Sequence, residues 1–239
     1  MNLLLFRPEE TGRPLPARDP RARHLLAVLR RGAGGTFDAG LLNGPRGKGR
    51  IESISSDALT LSFRWESDVP SPDPITLIVG LARPQTARDI LRDATTLGVA
   101  AIHFVATEKS EPSYAQSSLW REGEWERHLL AGAEQAFSTL VPQVTFDQSL
   151  ETLLAQLPAA HTRIALDNYE AGRGLAGHPI PRDHPLALAL GPERGWGACD
   201  RVALRGAGFT LTHLGRRVLR LETAAIAALT LTKAARGAL

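Results

Sequence analysis

Three prolines at alternate positions, in Val69-Pro-Ser-Pro-Asp-Pro74, stand between two stretches of quite different pattern in this 239-residue chain. Each proline lacks an amide hydrogen and biases the residue before it toward extended backbone. Neither a helix nor a centrally paired strand is expected to run through such a segment. The chain is therefore expected to fold as one module over residues 1–68 and another over residues 75–239, joined by a stiff connector at 69–74. Hydrophobic residues make up 43 % of the chain, enough to give each module a core and to exclude wholesale disorder.

The first module reads as β-rich with one helix. Asn2–Phe6 is a short apolar strand, and Asp19-Pro20 places an N-cap acid before a first-turn proline. His24, Leu25, Val28 and Leu29 continue that helix to about Gly32, and Thr36–Leu41, Gly49–Ile54 and Ala58–Trp65 are strands. After the prolines, strands alternate with helices. The strands are Ile75–Leu81, Ala101–Val105, Arg163–Leu166 and Leu186–Leu190. The helices are Gln85–Leu97, Leu119–Phe137 (one long helix), Leu150–Leu157, Gly197–Gly206 and Glu222–Arg236. That alternation predicts an α/β module built on a mostly parallel sheet.

Charge is distributed unevenly between the two. Residues 1–50 carry ten Arg and Lys against four acids, a local +6 in a chain whose formal charge is +3. Among 28 cations only Lys48, Lys109 and Lys233 are lysines. A GC-rich genome would give that arginine bias, and so would selection for guanidinium forks that grip phosphate. A cationic module on a near-neutral body fits a polyanionic partner, most simply nucleic acid, with Arg7, Arg21, Arg23, Arg30, Arg46 and Lys48 as candidate contacts.

Several chemistries are excluded by spacing. Gly44-Pro-Arg-Gly-Lys-Gly49 lacks the leading glycine and the Ser or Thr that a phosphate loop requires, and reads as a tight cationic turn. No GxGxxG follows Ile75–Leu81, and Ser110 and Ser138 lack a nucleophile elbow. The seven histidines form neither HExxH nor a finger-like pair with Cys199, so no metal is expected. A single cysteine allows no internal disulfide, and no apolar run reaches 18 residues. Met1–Phe6 is too short for a signal peptide. A cytoplasmic protein without a membrane partner is expected.

What remains lies near the C-terminus. The apolar strand Leu186–Leu190 ends in Gly191-Pro-Glu-Arg-Gly195, and Leu214-Gly-Arg-Arg-Val-Leu-Arg-Leu-Glu-Thr-Ala224 then runs into an Ala-rich helix. Glycine and proline at the carboxyl edge of a parallel strand let backbone turn sharply and approach a ligand, and that edge is where open α/β sheets bind.

In that order these segments resemble the small-subunit ribosomal RNA methyltransferase E family, within the SPOUT class of knotted methyltransferases. Its members carry GPEGG followed by LGxRILRxETA. His24-Leu-Leu-Ala-Val-Leu-Arg30 is similar to the family's HLxxVLR, Thr96-Leu-Gly-Val99 to ELGV, and Glu108-Lys-Ser110 to ERS. Glu134-Gln135 with Pro142 is similar to its EQ…P element. The resemblance implies an α/β-knot domain with a deep trefoil knot, preceded by a small PUA-like β-barrel, acting as a homodimer. It further implies methylation of N3 of a uridine in 16S rRNA of the small ribosomal subunit, with S-adenosylmethionine as donor. The donor pocket then maps onto Leu166, onto Leu190, Gly191, Pro192, Glu193 and Gly195, and onto Leu214, Gly215, Val218, Leu219 and Thr223. The dimer seam would include Glu222–Arg236, where alanines 224, 225, 227 and 228 permit close helix approach.

The chemistry itself sets requirements. N3 of uridine lies on the pairing edge and carries a proton, so the base must be unpaired and splayed out, and the proton must leave. A permanent cation suits the developing anion at the flanking carbonyls. Arg220 is the candidate for that role, or for an RNA phosphate, and Glu222 for a polar orienter near the donor. The chain departs from the family pattern at Gln85, Asp93, Thr96, Phe137-Ser138 and Arg194. These departures leave rival readings open: methylation of another RNA site or of a ribose 2′-OH, or an inactive RNA-binding assembly factor.

Overall fold

A computed structural model describes residues 3–238 of the chain. It separates into two compact units, one formed by the residues up to Ser71 together with Leu130–Val141, the other by Pro72–Leu129 and the residues from Pro142 onward.

The first unit holds β1 (Leu4–Phe6), β2 (Leu15–Pro16), α1 (Pro20–Arg23), β3 (Thr36–Leu41), β4 (Arg46–Ile54) and β5 (Ala58–Trp65). Its sheet has the order β1-β3-β4-β5-β2, with β1 parallel to β3 and the other neighbours antiparallel. Asn2, at the start of the expected first strand, lies outside the described residues. β1 is apolar on both faces for a reason: Leu4 and Phe6 join a cluster with Leu25, Phe37, Ile51 and Leu59, while Leu3 and Leu5 pack with Ala133, Leu130 and Phe137. Asp19 caps α1 by accepting the Arg21 N–H at 2.8 Å. The helix expected to continue to Gly32 instead widens after Arg23 into a π-turn over His24–Val28, with the Leu29 N–H reaching the His24 carbonyl at 2.9 Å.

In the second unit follow β6 (Asp73–Gly80), α2 (Pro84–Thr96), β7 (Val99–Ala106), α3 (Ser118–Arg121), α4 (Trp125–Gln135, from Leu130 in the first unit), β8 (Gln143–Ser149), α5 (Leu150–Gln156), β9 (Thr162–Leu166), β10 (Leu186–Leu190), α6 (Ala198–Gly206), β11 (Thr210–Thr212) and α7 (Leu221–Arg236). Six parallel strands form one sheet in the order β11-β9-β10-β6-β7-β8. All five residues of β10 are buried, as a strand covered on both faces of a parallel sheet requires. The expected α/β class with a parallel sheet is therefore present.

Element boundaries differ from expectation in three places. The single helix over 119–137 is broken at Gly123, whose φ of +70° is left-handed and ends α3 before α4 begins. β6 starts at Asp73, inside the proline segment, and Pro74 falls where the pairing with β7 shifts register, a place that tolerates the missing amide. β8 and β11 were not expected. β8 reads Gln-Val-Thr-Phe-Asp-Gln-Ser, too polar to stand out, and β11 has only three residues.

Candidate active site

The carboxyl ends of β9 and β10, and the loop after β11, open onto one cavity of about 670 Å³ in the second unit. Its size suits a cofactor or a small ligand. One wall is Leu166–Tyr169, the second Leu190–Trp196, the third the run from Leu214 into α7, and Arg83 and Thr86 at the start of α2 complete it.

Backbone dictates the middle wall. A Cβ on Gly191 would lie 2.8 Å from both the Gly195 carbonyl carbon and the Trp196 nitrogen, so only glycine lets the loop fold onto itself. Gly195 closes the turn at a φ of +68°, with its N–H bonded to the Pro192 carbonyl at 2.7 Å. Trp196, 1 % exposed, roots the loop by donating its indole N–H to the Leu166 carbonyl at 2.8 Å. Glu193 accepts the Arg83 backbone N–H at 3.0 Å, tying the loop to the start of α2.

The first wall is fixed by Asp167. Its buried carboxylate accepts the N–H groups of Tyr169 (2.7 Å) and Glu170 (2.6 Å) and the Nε of Arg201 (2.7 Å). A buried ion pair of this kind is justified only when its remaining lone pairs are bonded, as they are here. At the foot of α6, Asp200 accepts the Gly197 N–H at 2.7 Å and the Glu108 N–H at 3.1 Å, while Glu108 accepts the Cys199 N–H at 2.9 Å.

On the third wall Arg220 is exposed at the N-cap of α7, and Glu222 lies half-buried in its first turn; both line the cavity. Arg194, Arg217 and Arg220 make no side-chain hydrogen bond or ion pair among the described residues, which leaves three guanidinium groups on the cavity rim.

A family model described as an RNA methyltransferase domain matches residues 69–233. The ribosomal RNA small subunit methyltransferase E of Treponema pallidum is 36 % identical over 237 residues, spanning 95 % of this chain and 89 % of that protein. The chain belongs to the small subunit methyltransferase E family. A second relative, methyltransferase E 1 of Borreliella burgdorferi, is 27 % identical and covers 97 % of each chain. The crystal structure of the Neisseria gonorrhoeae methyltransferase E bound to S-adenosyl methionine superposes with a TM-score of 0.81 at 24 % identity, covering 98 % of this chain and 97 % of that one. The fold of the chain is thus the fold of the methyltransferase E structures.

Of the eleven residues expected around the donor, nine line the cavity: Leu166, Leu190, Gly191, Pro192, Glu193, Gly195, Leu214, Val218 and Leu219. Gly215 and Thr223 do not. Gly215 is exposed at a φ of +108° and shapes the turn before Arg216, and Thr223 is exposed on the opposite side of α7 from buried Leu221 and Ala225. Sequence reasoning missed Arg83, Asp167, Tyr169 and Trp196. The signal available was an acid directly after β9 and a tryptophan directly after the glycine loop.

In the first unit Arg21 proves structural. Its guanidinium reaches both Glu10 oxygens and both Asp19 oxygens and the Leu5 carbonyl, and lies 4.8 Å from the Phe6 ring centroid. Those bonds hold the Glu10 carboxyl below its usual range. Lys48 pairs with Asp38, and Arg46 lies over the Phe137 ring with Glu66 at 3.9 Å. Arg7 donates its backbone N–H to Glu10. Arg23 and Arg30 are exposed and make no side-chain hydrogen bond or ion pair among the described residues, and Arg30 projects from a left-handed turn (φ 52°). Among the described residues no group of three His, Cys, Asp or Glu could hold a metal ion, and no helix is long and apolar enough to cross a membrane.

Proposed function

We propose that this chain transfers a methyl group from S-adenosylmethionine to N3 of a uridine in 16S rRNA of the small ribosomal subunit. The observation that carries the reading is one cavity walled by both family motifs, Leu190–Gly195 and Leu214–Glu222, in a chain of this family. The residues present fit the donor. Leu166, Leu190, Leu214 and Leu219 offer apolar surface for an adenine, and the folded-back Gly191–Gly195 backbone leaves room at the strand ends. Glu193 and Glu222 are carboxylates facing a cavity that would hold a sulfonium cation. When bound, the donor supplies an electrophilic methyl.

The protein's part is to hold, orient and discharge. Positioning N3 on the line of transfer supplies most of the rate, since the methyl is already activated. In this reading Arg220 stabilises negative charge at the carbonyls beside N3 as the proton departs, and Glu222, in the first turn of α7, orients polar groups; what supports both roles is that the two residues line the cavity. The rim arginines match a polyanionic substrate.

The finer features belong to the same reading: a trefoil knot in the second unit, a PUA-like barrel in the first that meets RNA, cytoplasmic location, and a homodimer. Ala225 and Ala228 are buried within their own unit, so the dimer face is better formed by exposed Ile226 and Leu231 with Ala227 and Ala234 on the same side of α7. The test is transfer of labelled methyl to small subunits lacking the modification, followed by nucleoside analysis. Label in 3-methyluridine supports the reading. Label in a 2′-O-methyl nucleoside, or donor binding with no label, overturns it.

A further inference from the structure

Tyr169 is the residue at the cavity whose exposure its packing does not explain. It is 77 % exposed, the one aromatic residue among the large exposed hydrophobics of the described residues, although an aromatic ring has much to gain from burial. The loop beneath it is rigid, because its own N–H and that of Glu170 are bound to the buried Asp167 carboxylate. The ring is held at three further points. The Arg201 guanidinium lies 5.4 Å and the Lys109 ammonium 6.0 Å from its centroid, and its Cε2 lies 3.7 Å from where a Cβ on Gly195 would stand. Arg201 is itself held by Asp167 and Glu170. The phenol hydroxyl makes no hydrogen bond among the described residues. The two cations lie over the ring, and with 77 % of the residue exposed the ring still opens to the cavity it lines.

We infer that Tyr169 is the stacking platform for the target uracil of the flipped nucleotide. This rests on the function proposed above. A uridine that reacts at N3 must leave its own stack, and an aromatic side chain returns part of the stacking it loses. The donor, by contrast, is served by Leu166, Leu190, Leu214 and Leu219 and by the folded-back glycine loop. Tyr169 therefore binds the accepting base and takes no part in proton removal.

The test compares Tyr169→Ala, Tyr169→Leu and Tyr169→Phe with the wild type in methyl transfer to unmodified small subunits, with donor affinity measured by calorimetry. Ala and Leu should raise the KM for the subunit roughly ten- to a hundred-fold, the span that loss of one base–aromatic stack gives. Donor affinity should stay unchanged, and Phe should behave as wild type, since the ring face and not the hydroxyl is used. An unchanged KM in both Ala and Leu variants overturns the inference while leaving the methyltransferase reading intact. A parallel fall in donor affinity assigns the ring to the donor and overturns it too, as does a Phe variant as impaired as Ala. A wild type that methylates no subunit overturns the function and this inference together.

Discussion

Single residues in this chain carry duties that charge or family position alone does not reveal. Arg21 belongs to the most cationic segment of the sequence, yet five hydrogen bonds hold it inside the first unit. Glu134, in the Glu-Gln pair that resembles a family element, is half-buried in that same unit. Burial raises its carboxyl above the usual range, opposed by the Leu5 N–H it accepts and by the Arg21 charge. A carboxyl raised by folding favours the native state at low pH, and that contribution is lost as pH rises through its folded-state pKa. At neutral pH the buried charge is thus a liability. Glu134→Gln keeps the acceptor for Leu5 and removes the charge. The expected outcome is a higher melting temperature than wild type at pH 7, with the gap closing as pH falls toward 4.5. Calorimetric melts across that range check it, and a gap that widens in acid contradicts it.

At the scale of elements, what could be read from the sequence was whatever has a strong local cause. β10 was visible because five consecutive apolar residues between turns leave little alternative, and α1 because Asp19 and Pro20 specify its start. The break at Gly123 was hidden, since the apolar spacing from Leu119 to Phe137 continues across it and a lone glycine in a helical pattern is often tolerated. β8 and β11 are defined by their neighbours β7 and β9, which supply the pairing their own residues do not advertise. The glycine loop after β10 was readable as a motif, but its mechanical reason was not. The sequence suggested that Gly191 clears space for a ligand, whereas a Cβ there would strike the loop's own backbone at Gly195 and Trp196. Gly191→Ala should therefore open the loop as well as weaken the donor site. We expect donor affinity to fall at least tenfold and stability to drop by about 1–3 kcal/mol, the usual cost of forced overpacking. Calorimetry with the donor and a denaturant melt read the two effects, and a variant with native stability but no binding would return the glycine to a purely ligand-facing role.

Across the whole molecule the question is which cations meet a polyanion. The excess of positive charge in residues 1–50 is a property of composition, and only the structure divides it into working parts. Arg21 and Lys48 are committed to carboxylates, and Arg46 to a ring and a distant glutamate, whereas Arg23 and Arg30 lie exposed beside the π-turn without a side-chain hydrogen bond or ion pair among the described residues. A phosphate contact releases condensed counterions, so each one adds to the slope of log affinity against log salt. Replacing Arg23 and Arg30 together with alanine should lower that slope by about 1 to 2 for the small subunit's RNA, with melting temperature unchanged. Arg21→Ala should do the reverse. Removing it strands Glu10 and Asp19 without their shared cation, which lowers the melting temperature of the first unit while leaving the salt slope of the folded protein nearly intact. Filter binding over a salt series, paired with thermal melts, separates the two classes. A slope unchanged by the Arg23 and Arg30 double variant would mean that the exposed arginines merely colour the composition and would turn attention to the cavity rim, where Arg194, Arg217 and Arg220 stand, whereas a slope that falls with Arg21 would return that residue to the RNA.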